Sequence, residues 1–377
     1  MASLKILELF GGIGACSKAL ERLGIEYEIA DYVEIDKYAV KSYNAMHNTN
    51  FEPQDICNWD KEIDVDLIMH GSPCQDFSVA GKQAGGDEGS GTRSSLMYET
   101  LRIVKKLKPK YVIWENVKNV ISKKHIHNFN NYIERMNELG YISYYQVLNS
   151  KDYGIPQNRE RVFTISIRND INTDFEFPPK QELKLKLKDM LEDNVNEKYY
   201  LSEKLVNCFM SDGTGTYPRR ERFLQNINRK NQDIANSIIT TEGNKPTCNF
   251  LRIKNGTKQG YLKAHEGDSV NLSYPTSNTR RGRVGEQVSQ TLQCNDAMGV
   301  VNGDLKIRKL TPLETWRLMG FDDEDFEKAS KVNSNTQLYK QAGNSIVVNV
   351  LEAILTNLLL NNDVQKSEKQ LTIFDLM

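Results

Sequence analysis

A cysteine and a carboxylate follow two neighbouring apolar runs of the sequence. Cys74 comes after residues 65–69, which predict a short buried strand, and it opens a glycine-rich stretch. Glu115 comes after a similar run at residues 111–114. Because ligands bind beyond the carboxyl ends of parallel strands, both side chains are placed to meet a substrate. Free cysteine is also among the most buried residue types, so a core position for Cys74 is an equally good interpretation.

Two arginines stand two positions apart further along the chain. Arg159 and Arg161 alternate along an extended segment that leads into a predicted strand at residues 162–167. Alternate side chains of a strand lie on one face, and two guanidinium groups on one face suit the binding of a polar ring or a phosphate. As ordinary surface charges they would carry no function.

The N-terminal region predicts a binding site for a nucleoside. A predicted strand, a tight turn at Gly11-Gly12-Ile13-Gly14 and a predicted helix follow one another over residues 5–23. Glu34 ends the second predicted strand, 20 residues after Gly14, where a carboxylate can reach ribose hydroxyls. Ser17 stands where the dinucleotide fingerprint has its last glycine, so S-adenosylmethionine fits better than a nicotinamide dinucleotide.

Composition excludes several classes of protein. The chain of 377 residues has room for two or three domains, and its 39% hydrophobic and 26% charged residues are typical of a soluble protein. It contains neither a long uncharged apolar stretch nor an export signal, so we expect no membrane span and a cytoplasmic location. The six cysteines form no C-x-x-C pair, which argues against a metal site and against disulfides.

The middle of the chain predicts a second domain of strands and loops. Residues 185–306 are polar and lack long helical periodicity. Within residues 217–285, thirteen Lys and Arg stand against five Asp and Glu, a net charge of +8 that leaves −9 for the rest of the chain. Such a basic region is typical of a protein with a polyanionic partner, although an ordinary solvated surface is the simpler alternative.

Helical patterning is predicted to frame this region. Residues 94–108 and 126–139 predict helices, and a third strand is expected just before Asp55. After the middle region, Thr311 can cap a helix with Pro312 at its first position and Glu314 at its third. The last predicted helix, over residues 346–355, is expected to pack back on the first sheet.

Taken together, the motifs resemble those of the cytosine-C5 DNA methyltransferases, especially the bacterial and phage modification enzymes. The resemblance covers about residues 4–168 and 308–355. The motifs that carry it are Phe10-Gly11-Gly12-Ile13-Gly14, Pro73-Cys74-Gln75, Glu115-Asn116-Val117, Gln157-Asn158-Arg159-Glu160-Arg161 and Gly343-Asn344-Ser345. It implies an α/β fold: a Rossmann-like S-adenosylmethionine-dependent methyltransferase domain with a smaller, mainly β and loop target recognition domain.

The resemblance also implies domain boundaries. Residues 1–184 would be the first part of the catalytic methyltransferase domain, and residues 185–306 the target recognition domain. Residues 307–360 would be a hinge and a C-terminal helix that complete the catalytic domain, and residues 361–377 a flexible tail.

The resemblance implies a role for each site residue. Cys74 would be the nucleophile that adds to C6 of a flipped cytosine, and Glu115 would hold the cytosine edge and draw electrons from C6. Arg161 would bind the ring O2, and Arg159 would support Cys74 or the adjacent backbone. The residues expected to bind S-adenosylmethionine are Phe10, Gly12, Ile13, Gly14, Glu34, Ile35, Asp55, Ile56, Pro73, Leu96, Asn344 and Ser345. Those expected to face the space left by the flipped base are Gln75, Ser78, Lys82 and Gln83.

Three positions depart from the family pattern. Glu8 and Ala15 stand where the family commonly has Asp and Gly, and Ile35 stands where some members carry an aromatic residue that stacks on adenine. These departures concern the affinity for the cofactor and leave the expected chemistry unchanged.

The resemblance implies double-stranded DNA as the partner and leaves two alternatives open: a tRNA cytosine-C5 methyltransferase and a catalytically silent DNA-binding protein. The chemistry and the long basic insert favour the DNA enzyme, and a nucleoid-associated location would follow. A cognate restriction endonuclease is left open as a second partner. The last residues, with Gln370, Leu371, Ile373 and Phe374, resemble the peptide by which bacterial proteins dock on the replication sliding clamp, although packing on the chain's own surface is the simpler alternative.

Overall fold

The structure, a computed structural model, describes residues 3–73, 90, 92–171, 175–209, 250–303 and 306–360. Its central element is a sheet of six strands. These are β1 (Leu4–Leu9), β2 (Tyr27–Val33), β3 (Leu67–His70), β4 (Tyr111–Val117), β5 (Tyr141–Asn149) and β7 (Glu160–Arg168), with the short β6 (Gln157–Asn158) just before the last. The strand order is β2-β1-β3-β4-β7-β5. The first four strands of this order are parallel, and β7 is antiparallel to both β4 and β5.

Helices cover both faces of this sheet. Those of the N-terminal part are α1 (Ala15–Arg22), α2 (Lys37–His47), α3 (Met97–Leu107) and α4 (Ile126–Glu138). Those of the C-terminal part are α6 (Pro312–Arg317), α7 (Asp323–Ser330), α8 (Asn335–Asn344) and α9 (Val348–Leu355), and a π-helical turn, Thr356–Leu360, continues α9. The α/β fold class predicted from the sequence is confirmed.

Alternate residues of the strands build two separate cores. In β3, Ile68 joins the core under α3 and α4, while its neighbours Leu67 and Met69 join the core under α1 and the C-terminal helices. In β4, Val112 and Trp114 belong to the first of these cores, and Ile113 to the second. A sheet buried on both faces reads as an unbroken apolar run, which is why these strands could be predicted from the sequence.

The prediction of a third strand just before Asp55 is wrong. Residues 48–66, all of them described, contain no strand. Pro53 has no N–H to give to a ladder, and the Asp55 carboxylate accepts a hydrogen bond from the backbone of Cys57 at 2.9 Å, which opens a 3₁₀ turn at Ile56–Asn58 instead. The segment is still held beside β2, because the Gln54 N–H donates to the Glu34 carbonyl at 2.9 Å.

A second, smaller region consists mainly of strands and loops. A hairpin joins β8 (Leu251–Lys254) to β9 (Tyr261–Ala264), and α5 (Glu203–Phe209) packs in the same small core. A four-stranded sheet has the order β11-β10-β13-β14. Its strands are β10 (Ser269–Asn271), β11 (Val284–Gly285), β13 (Met298–Val301) and β14 (Ile307–Lys309). The remaining strand, β12 (Ser289–Gln290), pairs with β6 of the first region, so the two regions share a backbone ladder.

One C-terminal helical run passes a simple test for a membrane span. By length and composition alone, Asn335–Leu360 is long and apolar enough to cross a membrane, with a mean hydropathy of 1.5 over its most apolar window. The run is interrupted between α8 and α9, and Val350, Leu351 and Ile354 lie fully inside the core that contains α1. We therefore attribute its hydropathy to core packing. The expectation that the last helix packs back on the first sheet is confirmed: α9 shares this core with α1, and its Val350 lines a pocket with Leu148 of β5 and Phe163 of β7.

A buried ion pair anchors the start of the C-terminal part. Thr311 and Glu314 form the predicted capping box, in which the Glu314 carboxylate accepts from the Thr311 N–H at 2.8 Å and the Thr311 hydroxyl accepts from the Glu314 N–H at 3.2 Å. The same carboxylate also accepts two hydrogen bonds from Arg308, at 2.8 and 2.7 Å, and both side chains are buried. Removing one member leaves the other charge uncompensated in the interior.

We therefore expect Glu314→Gln to lower the free energy of unfolding by about 3–5 kcal/mol, because the Arg308 guanidinium loses its counter-charge. Urea denaturation of the two proteins measures the difference. Glu324→Gln, which breaks the exposed pair with Lys328 on α7, is the control and should leave the midpoint unchanged. A Glu314 variant as stable as the control would contradict this assignment.

Candidate active site

A cleft opens beyond the carboxyl ends of β3 and β4. Gly71 leaves β3 there, and a Cβ atom at Gly71 would lie 3.6 Å from the side chain of Ile346 and 3.8 Å from the Glu115 carboxylate. Three segments that are far apart in the sequence therefore meet at Gly71. They are the exit of β3, the end of β4 and the chain between α8 and α9.

Glu115 and Arg161 form the polar centre of this cleft. Glu115 is 9% exposed, and its Oε1 lies 3.0 Å from Nε of Arg161 at the start of the adjacent β7. Burial raises the pKa of Glu115 above its ordinary value of 4.5, and the nearby Arg161 and Arg159 offset only part of this. Apolar side chains close the other sides, namely Leu148, Phe163, Ile346, Val347 and Val350. A carboxyl group in this setting keeps its proton to a higher pH than an exposed carboxyl group does.

Arg159 is a buried connector. It is 3% exposed, and its Nη2 donates to the carbonyls of Gly343 at 3.1 Å and Ser345 at 2.7 Å. Its Nη1 donates to the carbonyl of Leu292 at 3.4 Å. The two arginines that the sequence places together thus differ in their contacts, since Arg161 pairs with Glu115 and Arg159 contacts backbone of the C-terminal part and of the second region.

The backbone that precedes Cys74 is held from β4. Ser72 is buried, its hydroxyl accepts from the Trp114 indole at 3.0 Å, and the Asn116 amide donates to its carbonyl at 3.3 Å. No sequence signal pointed to Trp114 or Ser72, because their contact does not follow from spacing along the chain. Cys74 itself lies outside the described residues, as do Gln75, Ser78, Lys82 and Gln83, so their predicted roles stay predictions.

The glycine turn after β1 has the backbone that its sequence predicts. Gly12 and Gly14 have φ of 56° and 79°, values that a side chain disfavours. A Cβ atom at Gly14 would also lie 2.4 Å from the His47 ring. Phe10, with φ of 52°, leads into this turn, and Ile13 at its centre is buried.

Glu34 is held against the glycine turn. Its carboxylate accepts from the Gly12 N–H at 3.1 Å and from the Asp36 N–H at 2.8 Å. Burial raises the pKa of Glu34, and these two backbone donors offset part of the rise. The spacing of 20 residues read from the sequence is thus a direct contact in the fold.

The other residues predicted to bind the cofactor differ in how far they are exposed. Ile35 next to Glu34 is 68% exposed, a large apolar side chain left in the open. Asp55 is exposed and Ile56 is buried, and both lie on the segment that Gln54 ties to Glu34. Leu96 ends a 3₁₀ turn, Arg93–Leu96, and packs partly against the core under α3. Pro73 is half-buried at the exit of β3.

The last predicted cofactor motif, Gly343-Asn344-Ser345, comes from the C-terminal part of the chain. Lys340 on α8 lies 2.6 Å from Asp36, which places α8 beside the start of α2. Asn344 there is exposed and accepts from the thiol of Cys294 at 2.8 Å, while Ser345 is buried. Gly343 has to be glycine, because a Cβ atom would lie 2.4 Å from the Gln293 carbonyl. The second region therefore packs directly on this motif.

Gln157 is a connector to which the sequence analysis assigned no role of its own. It is fully buried, its amide donates to the Leu318 carbonyl at 2.7 Å, and its side-chain oxygen accepts from the Leu292 N–H at 3.1 Å. It thus joins three parts of the chain, as Arg159 does. A long-range contact of this kind leaves no trace in local spacing.

Glu8 is a buried carboxyl group beneath the glycine turn. It accepts from the Ser17 N–H at 3.1 Å, contacts the Ser17 hydroxyl and lies 3.4 Å from the Tyr43 hydroxyl. Burial raises the pKa of Glu8 from 4.5 to about 7, and these hydrogen bonds oppose the rise. Ser17 stands where the dinucleotide fingerprint has its last glycine, and Glu8 stands where the family commonly has Asp. These two residues are hydrogen-bonded to each other.

We expect the stability of the protein to fall with rising pH through Glu8. Between 4.5 and about 7 the folded protein keeps a proton that the unfolded chain has lost, so the free energy of unfolding decreases across this window. The expected loss is about 3 kcal/mol. Glu8→Gln, which cannot ionise, should lack it, and urea unfolding at the two ends of the window compares the two proteins. Equal pH dependence in both would rule the assignment out.

Comparison with known proteins shows the family of this chain. A family model described as C-5 cytosine-specific DNA methylase matches residues 4–359. The orphan methyltransferase M.SPBetaI of Bacillus phage SPbeta is 33% identical to this chain, with 95% of this chain and 98% of the relative covered. The type II methyltransferase M.HhaI of Haemophilus parahaemolyticus is 35% identical, with 95% of each covered. The type II methyltransferase M2.ScrFI of Lactococcus lactis subsp. cremoris is also 35% identical, with 94% and 99% covered.

Solved structures agree in fold. The Entamoeba histolytica methyltransferase EhMeth has a TM-score of 0.59 at 15% identity, with 96% of this chain and 99% of that chain covered. The S. pombe Dnmt2 methyltransferase has a TM-score of 0.57 at 18% identity, with 94% and 98% covered. The resemblance drawn from the sequence motifs is confirmed: this chain belongs to the C-5 cytosine-specific DNA methylase family and is an enzyme of that methyltransferase class.

Proposed function

We propose that this enzyme transfers a methyl group from S-adenosylmethionine to C5 of a cytosine that is flipped out of duplex DNA. The observation that carries the proposal is the buried Glu115–Arg161 pair beside Gly71, three residues before Cys74. The pair offers a carboxyl group of raised pKa and a guanidinium within one small cleft. A pyrimidine edge needs such a combination of donor and acceptor groups.

The residues around the glycine turn fit the cofactor. Gly12 leaves open space where a side chain would stand, Glu34 presents a carboxylate for ribose hydroxyls, and the exposed Ile35 offers an apolar surface for adenine. Asn344 and Ser345 border the same opening from the C-terminal side, and Asp55 lies on the segment tied to Glu34. When bound, S-adenosylmethionine would supply an electrophilic methyl group on a sulfonium centre.

The side chains of this enzyme would activate the cytosine in three ways. The Cys74 thiolate adds to C6, and this bond turns C5 into an enamine-like nucleophile. Glu115 shares its proton with ring N3 and accepts from the exocyclic amine, so the electrons displaced by the thiolate are drawn away from C6. Arg161 donates to the ring O2 from its place 3.0 Å from Glu115. Loss of the C5 proton to water and of Cys74 from C6 then restores the aromatic ring.

Access to C6 requires the base to leave the stack, which costs a few kcal/mol. Gln75, Ser78, Lys82 and Gln83 would face the space that the base leaves. The second region would hold the duplex and read base edges in the major groove. Its β12 is hydrogen-bonded to β6, so a duplex held there would lie close to Arg159 and Glu115.

A tRNA substrate and a silent DNA-binding role are the alternatives. The relatives named as type II methyltransferases, together with the basic second region, favour DNA over tRNA. The buried Glu115 of raised pKa favours an active enzyme over a silent one, since a protein without catalysis needs no such group. Methylation of duplex DNA and tRNA side by side separates the three.

We expect Cys74→Ser to abolish methyl transfer while specific DNA binding remains, and Glu115→Gln to lower kcat about 10²- to 10³-fold, because it removes the shared proton. Bisulfite sequencing of DNA from a host that expresses each protein measures methylation. A duplex containing 5-fluorocytosine should trap the wild-type enzyme as a covalent adduct, because fluorine at C5 cannot leave as a proton.

Cys208→Ser is the matched control, since this half-buried thiol lies on α5 and not in the cleft. It should form the trapped adduct at the wild-type rate. Near-normal turnover of the Cys74 variant, or an adduct through another residue, would show that the mechanism is mistaken.

The C-terminal tail would add a second partner, the bacterial sliding clamp, and a DNA substrate would place the enzyme on the nucleoid in the cytoplasm. The specific observation is the peptide with Gln370, Leu371, Ile373 and Phe374, which lies outside the described residues. We expect a pull-down with the host clamp to retain the wild-type chain and the control Lys366→Ala but not Phe374→Ala. A clamp that ignores the wild-type chain would remove this partner. A cognate restriction endonuclease remains open.

A further inference from the structure

The strongest unexplained feature of the second region is a fully buried arginine. Arg283 is 0% exposed, and its guanidinium donates to the carbonyls of Asn271 at 3.3 Å and Ser273 at 3.1 Å. It also donates to the carbonyls of Tyr274 at 2.8 Å and Ser277 at 3.3 Å. All four of these acceptors are backbone carbonyls, so the charge is solvated by backbone. We call residues 273–281 the arginine-anchored loop.

The arginine-anchored loop is rigid at both ends. Tyr274 adopts φ of 51°, a left-handed conformation that a non-glycine residue rarely takes, and the Arg283 contact to its carbonyl holds it there. The C-terminal end of the loop packs on the start of the β8–β9 connection, where the Gly256 N–H donates to the Arg280 carbonyl at 2.7 Å. Gly256 has no room for a side chain, because a Cβ atom would lie 2.3 Å from the Thr279 carbonyl. Strained and over-determined backbone of this kind clusters at binding sites.

The loop presents a set of side chains that suit base edges. Tyr274 is 72% exposed, and Arg280 lies 5.5 Å from its ring. The other exposed side chains are Thr276, Asn278, Thr279 and Arg281. The loop contains two arginines and no acidic residue. Arginine pairs with guanine and asparagine with adenine in the major groove, and both also bind phosphates.

The loop borders the candidate active site. The Ser273 hydroxyl donates to the Gln293 side chain at 3.3 Å. The next residue, Cys294, contacts Asn344 at 2.8 Å, and Leu292 accepts from Arg159. One short segment therefore links the start of the loop to the cofactor motif and to the catalytic cleft. A duplex whose flipped base lies in the cleft would pass along the loop.

We propose that the arginine-anchored loop reads the DNA sequence around the target cytosine, with Asn278 and Arg281 as specificity-determining residues and Tyr274 as a contact to the duplex. The inference rests on the proposed function, because it needs a DNA duplex in the cleft. Arg283 acts as a positioning residue: it fixes the shape of the loop and does not touch the DNA itself.

The test is a methylation map of a host genome that lacks its own cytosine methylation. The wild-type enzyme and the variants Asn278→Ala, Arg281→Ala and Tyr274→Ala are expressed one at a time, and bisulfite sequencing records the context of every methylated cytosine. Tyr145→Ala is the matched control, since Tyr145 is 53% exposed on the outer strand β5, away from the second region. S-adenosylmethionine binding by each purified variant checks that the fold is intact.

We expect Asn278→Ala and Arg281→Ala each to relax the methylated context at one base position, with a loss of discrimination of about ten- to hundredfold there. Tyr274→Ala should lower kcat/KM for the cognate duplex about tenfold with the context unchanged. The control should keep both the context and the rate. Loop variants that bind cofactor and keep the wild-type context and rate would overturn the inference and leave the proposed function standing. A wild-type enzyme that methylates no cytosine would overturn the proposed function and the loop assignment with it.

Discussion

The buried guanidinium of Arg159 joins the parts of this enzyme that have to act together. Its N–H groups donate to the carbonyl of Ser345 in the predicted cofactor motif and to that of Leu292 in the second region. Its charge also offsets part of the rise that burial causes in the pKa of Glu115. A buried charge has a high desolvation cost, and here backbone carbonyls and a carboxyl group offset it. The three segments are thereby fixed relative to one another, and a lysine could not replace the fork of donors.

Two carboxyl groups near the carboxyl ends of strands in the same sheet share one physical setting. Glu8 lies near the end of β1 beneath the glycine turn and Glu115 near the end of β4 in the cleft, and burial raises the pKa of both. At Glu115 two arginines offset part of the effect of burial. At Glu8 the hydrogen bonds from Ser17 and Tyr43 oppose a larger effect of burial. The same sheet edge can therefore hold one group for proton sharing and another that is mainly structural.

The second region is attached by backbone as much as by side chains. The pairing of β12 with β6 places Ser289 opposite Gln157, and Gln157 in turn bonds Leu292 and Leu318. Gly343 allows the backbone at Gln293 to approach α8 closely. A displacement of the second region would therefore shift residues that lie beside both the predicted cofactor motif and the cleft. In the proposed function, recognition of a duplex and assembly of the catalytic groups would be coupled through this short junction.

Local patterns along the chain were enough to predict the fold class and the family, and they indicated which residues would border the cleft. Apolar runs marked the parallel strands, glycines marked the turn after β1, and the offset of 20 residues placed Glu34 beside Gly12. The expected strand before Asp55 failed because Pro53 and a local side-chain bond outweigh a weak apolar pattern. Only the tertiary structure showed that Arg159 and Arg161 have different partners, that Trp114 holds Ser72, and that Arg283 shapes an exposed loop. Such contacts join residues tens to hundreds of positions apart, or depend on which way a side chain turns, and neither is encoded in spacing along the chain.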